Sequence, residues 1–503
     1  MSQFKQSEIT NIYWASNDGF KGGRDPMGIQ NSSVATYSRL LPGMTNLTGH
    51  IRYYSLYCWL LNEYDKLETE KQIDVHQYNF IRRAELAIAL IMKDQNISSV
   101  VGALFISQQR YKLIEEGLYD LADGGDFDSD DKYWTYHTGA FGQYYLGSLI
   151  YYELVKIEEG RFYLRDKGKS LASIFRKSVD KDTRDLFIEC VVEGSISEEE
   201  IEELIPLGLN KITVGSDEWN SLNHLLTKQD DDSSLRRETV LLMLKDLDSG
   251  VSLNDFVKNR FINADKDDEY NASFGWYFYY LCEAFHYCIE SVFCLILNEI
   301  YDLHNPPMMI LVEDIKEKML SYMEAEKKYN SIDEWKQNQN GKIEEMFDEL
   351  KEFIYIKEYT QAAVKSLTLL LRLQNEYELN KEKILKFQNE NDLTRQRGIL
   401  SEGLKSYVLL HSNLPVDKYI ETIVHQIMQE HTIIAIGKMG NKDTDLRKFI
   451  FEDGRVVLVE IRYPTVTSPR IYSLYNFLQD LSYIDSEGLT DIAYYYIQNY
   501  GND

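Results

Sequence analysis

FGWYFYYLCEAFHYCIESVFCLILNEI, residues 274–300, is the most apolar stretch of the 503-residue chain. Its length would suit a membrane span, but it carries Glu283, His286, Glu290 and Asn298. Such groups are costly in lipid. The stretch therefore predicts the buried core helix of a globular protein, with no membrane role. Residues 180–400 around it read as almost wholly helical. Acidic faces alternate with apolar stripes there, as in EEEIEELIPL (198–207) and KIEEMFDELKEFIYI (342–356). The region 313–391, rich in Glu, Lys, Leu, Gln and Asn, has room for a helical hairpin or a short coiled coil. Only 8 prolines interrupt the chain, which favours long helices.

Upstream, the segment from Thr45 to Leu67 crowds apolar and aromatic residues on every face and predicts a well-buried helix. A second helix is expected over Tyr78 to Lys93. The first fifty residues are punctuated by Gly and Pro, and YWASNDGFKGGRDPMGIQ (13–30) packs polar and glycine residues between aromatics, as an arm stapled onto the helical body would. Its glycine-rich loop lacks the GKS or GKT ending of a phosphate-binding loop. The acidic run DGGDFDSDD (123–131) lacks the mid-loop Gly of a calcium loop, with His137 where the twelfth-position Glu would stand, and is expected to be a solvated linker.

Composition narrows the function classes. With 54 basic and 81 acidic residues the net charge is −27, which repels phosphate backbones and argues against general nucleic-acid binding by the chain alone. The 37 tyrosines suit helix packing and protein interfaces. The five cysteines are few, odd in number and scattered, as expected in a reducing cytosol. Cys282, Cys288 and Cys294 recur every six residues, a spacing that drifts around a helix, so they are expected to be small buried fillers. His425 and His431 likewise fall on different helical faces. The polar start MSQFKQSEIT is unlike a signal peptide, and a cytoplasmic location is expected.

Two segments change the pattern. FGQYYLGSLIYYELV (141–155), the turn EEG (158–160), RFYLR (161–165) and DKGKSLASIF (166–175) predict helix, short hairpin and helix. The part LVKIEEGRFYLRDKGKSLASIF (154–175) resembles the wing and following helix of bacterial winged-helix domains, which bind DNA in regulators and also serve as protein-docking modules. Near the C-terminus, VDKYIETIVHQIMQEH (416–431) predicts a helix and TIIAIGKM (432–439) a strand. RKFIFEDGRVVLVEIR (447–462) predicts a hairpin turning at Asp453-Gly454. NFLQDLSYIDSEGLTD (476–491) resembles a second winged-helix tail, with Thr490 as N-cap of the last helix.

The expected fold is thus mainly α and multidomain, with two winged-helix-like segments and a small C-terminal β-hairpin. The division expected is an N-terminal arm and helical domain over 1–130 and a winged-helix-like segment over 131–180. A helical domain, with room for a hairpin, follows over 181–412, and a winged-helix-like α/β segment over 413–503.

TDLRKFIFEDGRVVLVEIR (444–462) sets Asp445 before one strand and Glu460 on the next, with Arg462 two residues later on the same face. This resembles the core of PD-(D/E)xK nucleases. The resemblance implies that Asp445 and Glu460 would hold Mg²⁺, with Arg462 where the family has Lys. Arg cannot act as a base, no Pro precedes Asp445, and an ordinary hairpin also produces E-x-R. If DNA is touched, the residues expected to do so are Lys156, Arg161, Arg165, Lys167, Lys169, Arg176 and Lys177. YWASNDGFKGGRDPMGIQ (13–30) and the following YSRLLPGMTNLTGHIRYYSLYCWLL (37–61) resemble large helical, winged-helix-containing proteins of bacterial anti-phage defence clusters, which often accompany an ATPase and a nuclease. The function expected is a non-catalytic scaffold or adaptor in such an assembly or in DNA maintenance, with no cofactor. The alternatives are a Mg²⁺-dependent nuclease and a winged-helix transcription regulator.

Overall fold

The computed structural model describes residues 25–93, 95, 99–109, 114–115, 117–228, 234–264, 271–326, 329–394, 399–439 and 445–500. Most of the glycine-rich N-terminal loop lies outside them. Among the described residues the fold is mainly helical, with 21 α-helices, one three-stranded antiparallel sheet and two hairpins. The chain forms two compact units. One is built from residues 41–253 and 470–500, the other from 25–40 and 254–469.

In the first unit the helix Arg52–Thr69 is buried on every side from Arg52 to Leu61. It starts later than its apolar pattern suggests. The preceding residues are drawn into a turn in which Thr48 Oγ1 donates to Thr45 O (2.9 Å) and the Gly49 amide donates to Tyr145 Oη (3.0 Å). The helix packs on Asp166–Ser178, with Trp59 stacked on Phe175 at 5.2 Å. The expected helix after Tyr78 is Gln77–Met92, capped by His76, whose Nδ1 accepts from the Tyr78 amide. Buried Glu85 on that helix accepts from the hydroxyls of Tyr57 and Tyr133 and from the Ala140 and Phe141 amides. Those amides open a π-helical turn, Phe141–Tyr145, where an anion is favoured by the helix dipole. The acidic run is not a free linker, because Asp126 pairs with Arg83 at 2.6 Å.

Helix, hairpin and helix follow as expected: Leu146–Tyr151, the strands Val155–Glu158 and Arg161–Leu164, then Asp166–Ser178. Glu159 and Gly160 both take positive φ (49° and 79°), so the right-handed strand twist continues through a two-residue turn. Gly168 of the "KG" pair has a packing reason: a Cβ there would lie 2.1 Å from the Leu154 carbonyl oxygen. A three-stranded sheet joins Ile114–Glu115, Leu118–Asp120 and Ser195–Ser197. The end of the chain supplies the helices Ile471–Asp480 and Asp491–Asn499. Thr490 occupies the N-cap position, but its hydroxyl donates back to Ser482 O at 2.6 Å rather than capping the helix.

The second unit is organised by the apolar stretch 274–300, which lies within the 33-residue helix Asn271–Leu303. It is apolar and long enough to cross a membrane, yet its most apolar window is wholly enclosed by protein. It packs on Tyr359–Glu390, on Asn31–Leu40 and on Val416–Met439. Ile343–Tyr355 and Tyr359–Glu390 form the expected helical hairpin. The three cysteines of the core helix are all buried, and burial pushes the Cys282 and Cys294 thiols up to about 12.

Two C-terminal expectations are corrected. TIIAIGKM is the end of the helix Val416–Met439, not a strand. Met428, His431, Ile434 and Ala435 are buried while Ile433 and Ile436 are exposed, a helical period that overrides β-branched propensity. The hairpin pairs Phe449–Glu452 with Arg455–Leu458 across Asp453-Gly454, as expected. Its second strand stops at Leu458, because the Val459 and Glu460 amides both turn to the Lys448 carbonyl (2.9 and 3.1 Å). Glu460 and Arg462 therefore lie beyond the strand, and the alternation that would align them does not reach them.

Candidate functional site

Asp445 lies in a loop, where Arg447 grips its carboxylate through Nη2 (2.8 Å) and Nε (3.0 Å). Glu460 is gripped by the buried Lys448 ammonium, with the Arg462 guanidinium adding a weaker attraction. These bonds hold both carboxyls below their usual range. Each carboxylate thus has its own cation, and Mg²⁺ would have to compete with Lys448 for Glu460. Among the described residues no group of three or more His, Cys, Asp or Glu side chains is gathered as a metal requires.

The seven basic residues of the first winged-helix-like segment divide into two sets. Lys156 pairs with Glu158, Arg161 with Glu68, Lys167 with Glu153, and Arg176 more loosely with Glu63 at 3.9 Å. Arg165, Lys169 and Lys177 form no ion pair among the described residues. The positive surface is thereby reduced to three unpaired cations.

A denser cluster stands elsewhere. Glu283, His286 and Glu290 share one face of the core helix, at spacing i, i+3, i+7, and are 4%, 0% and 3% exposed. Above them runs an irregular segment, residues 463–469 (YPTVTSP). The Thr465 amide donates to Glu290 Oε2 (3.0 Å) and the Thr467 amide to Glu283 Oε2 (2.8 Å). The Thr467 hydroxyl donates to Glu283 Oε1 (2.6 Å), and Tyr279 Oη lies 2.9 Å from that same hydroxyl. His286 Nε2 donates to the Thr465 carbonyl (2.9 Å), while its Nδ1 faces Glu283 at 3.6 Å and the Ser33 hydroxyl at 3.5 Å. Gln30 closes the far end with a bond to Glu290 Oε1 (2.7 Å).

Burial pulls the His286 imidazole down, but Glu283 and Glu290 more than reverse this and leave it above its ordinary value. Burial lifts the Glu290 carboxyl to about 7, against the opposing pull of His286 and the Thr465 amide. The cluster therefore holds a carboxyl that exchanges protons near neutrality beside an imidazole held above its ordinary value. With Ser33 and Glu283 both at Nδ1, and Nε2 committed to a carbonyl, the imidazole is not placed to relay a proton from the serine to the carboxylate.

A second buried histidine, His431, is held differently. Its Nδ1 donates to Pro26 O (2.9 Å) and its Nε2 accepts from the Lys448 amide (2.9 Å), which fixes the neutral tautomer. Burial, with Lys448 and Lys438 nearby, lowers it to about 4.

From the sequence, Glu283, His286 and Glu290 served only to exclude a membrane span. The signal that marks them is their spacing on one face of an otherwise apolar helix. Their partners, Gln30, Thr465 and Thr467, lie 175 or more residues away in sequence and carry no motif. No family model, curated protein or solved structure matches this chain.

Proposed function

We propose that this chain is a non-catalytic scaffold of a bacterial multiprotein complex in the cytoplasm, serving anti-phage defence or DNA maintenance. The observation that carries the scaffold part is the large apolar side chains left in water on the helices of the second unit. Met309 is 84% exposed, Tyr355 86% and Leu379 79%. Exposed aromatic and Met side chains of this kind are enriched at protein interfaces. The assignment to defence or DNA maintenance rests on the resemblance of the N-terminal stretches 13–30 and 37–61. In this reading the helix–hairpin–helix over 146–178 is a winged-helix-like docking module, since four of its seven basic residues are already matched by carboxylates.

Co-expression with the products of neighbouring genes tests the reading. The chain should co-purify with at least one of them, an ATPase or nuclease subunit being the expected class. Tyr355→Glu with Leu379→Glu should weaken that association without unfolding the chain. A monodisperse monomer that ignores every neighbouring product would sink the proposal. For DNA, the net charge of −27 predicts weak, salt-sensitive binding at most. Tight binding to duplex by the isolated chain, lost on neutralising Arg165, Lys169 and Lys177, would favour the regulator instead.

A further inference from the structure

The segment 463–469 contains no helix or strand, and all of its bonds to the core helix described above end on Glu283, His286, Glu290 or Tyr279. Pro464 and Pro469 have no amide to contribute. The Thr465 and Thr467 amides both point inward, as alternate residues of an extended chain do, while Val466 between them is 57% exposed. The segment is therefore fastened at few points, and most of them are ionisable.

We propose that residues 463–469 form a releasable strap, latched through its backbone onto Glu283, His286 and Glu290 and loosened as the latch gives up protons. When Glu290 is protonated and His286 charged, the latch holds one negative charge, on Glu283, against one positive charge, on His286. When Glu290 ionises, a second negative charge is enclosed beside the first. When His286 loses its proton, no cation remains between the carboxylates, and its Nδ1 and Nε2 can no longer both donate. Water entering beneath the strap solvates the two carboxylates and relieves that repulsion.

The other titratable groups near the latch do not reverse this trend. Tyr279 and Cys282 lie on the same helix, and burial raises both, so they stay neutral. Tyr37, from the helix Asn31–Leu40, meets Tyr279 edge to face at 6.1 Å. Asp25, from the loop before that helix, adds a negative charge that raises both His286 and Glu290, and Lys438 faces it at 3.8 Å. The strap's own sequence has no charged residue, and Tyr463 meets the Tyr359 ring at 6.2 Å.

The sign follows from the direction of both shifts. Glu290 and His286 sit above their unfolded values, so their contribution is fully present in acid and is lost as pH rises through their folded values. Loosening therefore sets in as pH rises above about 4.5, is complete for Glu290 by about pH 7, and is continued by His286 above its ordinary value.

Hydrogen exchange on the full chain, corrected for the intrinsic pH dependence of amide exchange, reads this directly. Protection across 463–469 should fall by at least roughly tenfold between about pH 5 and about pH 7.5, while the helix Arg52–Thr69 keeps its protection. Glu290→Gln retains an acceptor for the Thr465 amide and should flatten the response. Thr467→Val removes one bond to Glu283 and leaves the charges, so it should lower strap protection at every pH with the same slope. Strap protection in the wild type that stays constant within about twofold overturns the proposal. So does a Glu290→Gln chain with the full pH response, or a Thr467→Val chain with unaltered protection.

Discussion

His286 and His431 belong to the same compact unit and are almost equally hidden, at 0% and 1% exposure, yet they end on opposite sides of their ordinary titration range. Burial pulls both imidazoles toward neutrality. At His431 nothing resists strongly: one nitrogen meets a carbonyl, the other an amide, and the nearby charges are mainly lysines. At His286 two carboxylates stand on the same helical face and outweigh burial. Depth alone therefore does not set the charge of a buried histidine; the sign of its neighbours does.

The largest effect expected from this contrast is His286→Leu. It strands Glu283 and Glu290 without their cation and should destabilise the second unit by about 4 kcal/mol at neutral pH. Denaturant unfolding followed by a probe in that unit would measure it. A loss under about 1 kcal/mol would mean that His286 is neutral like His431.

The next prediction concerns pH. Glu290, lifted to about 7, takes away stability as pH rises from its unfolded value near 4.5. His431, depressed to about 4, takes away stability as pH falls from its unfolded value near 6.5. Each is worth about 3 kcal/mol over its window, and in the shared range they oppose one another. Glu290→Gln should uncover the acid limb of His431, with stability rising between about pH 4 and about pH 6.5 relative to wild type. His431→Gln should uncover the opposite slope, falling between about pH 4.5 and about pH 7. Parallel profiles for the two variants would break the comparison.

The smallest effect is expected at the neighbouring pair Lys448–Glu460. Glu460 is half exposed, so Glu460→Gln should cost no more than about 1 kcal/mol, and less at high salt. The same variant bears on the nuclease alternative. Metal-dependent cleavage present in the wild type and lost in Glu460→Gln would restore that reading, whereas Lys448 as its structural partner predicts no such loss.

The core helix was legible because 27 residues of nearly unbroken apolar character, interrupted by a few ionisable groups, are cheapest to bury inside protein. The Asp453-Gly454 turn was legible because positive φ at successive residues selects those side chains. Residues 432–439 misled because β-branched residues mimic a strand locally, while the burial that makes them helical comes from distant helices. The latch was not legible at all. Its carboxylates were visible, but the amides that satisfy them belong to a proline-bracketed stretch with no pattern of its own.

The interleaving of the two units has a consequence for how the chain is made. The helix Asn31–Leu40 leaves the ribosome early, but the core helix it packs against begins at Asn271. At about 5 to 20 residues per second the early helix waits roughly ten to fifty seconds for its partner. Throughout that interval the face it will bury, formed by Ser32, Ser33, Thr36, Tyr37 and Leu40, has nothing of its own unit to cover it. The first unit waits longer: His50 meets Asp480 only after 430 further residues have been made. Neither unit can be obtained by cutting the gene at one point, and a nascent chain of this design has reason to depend on chaperones until the helix Ile471–Asp480 has emerged.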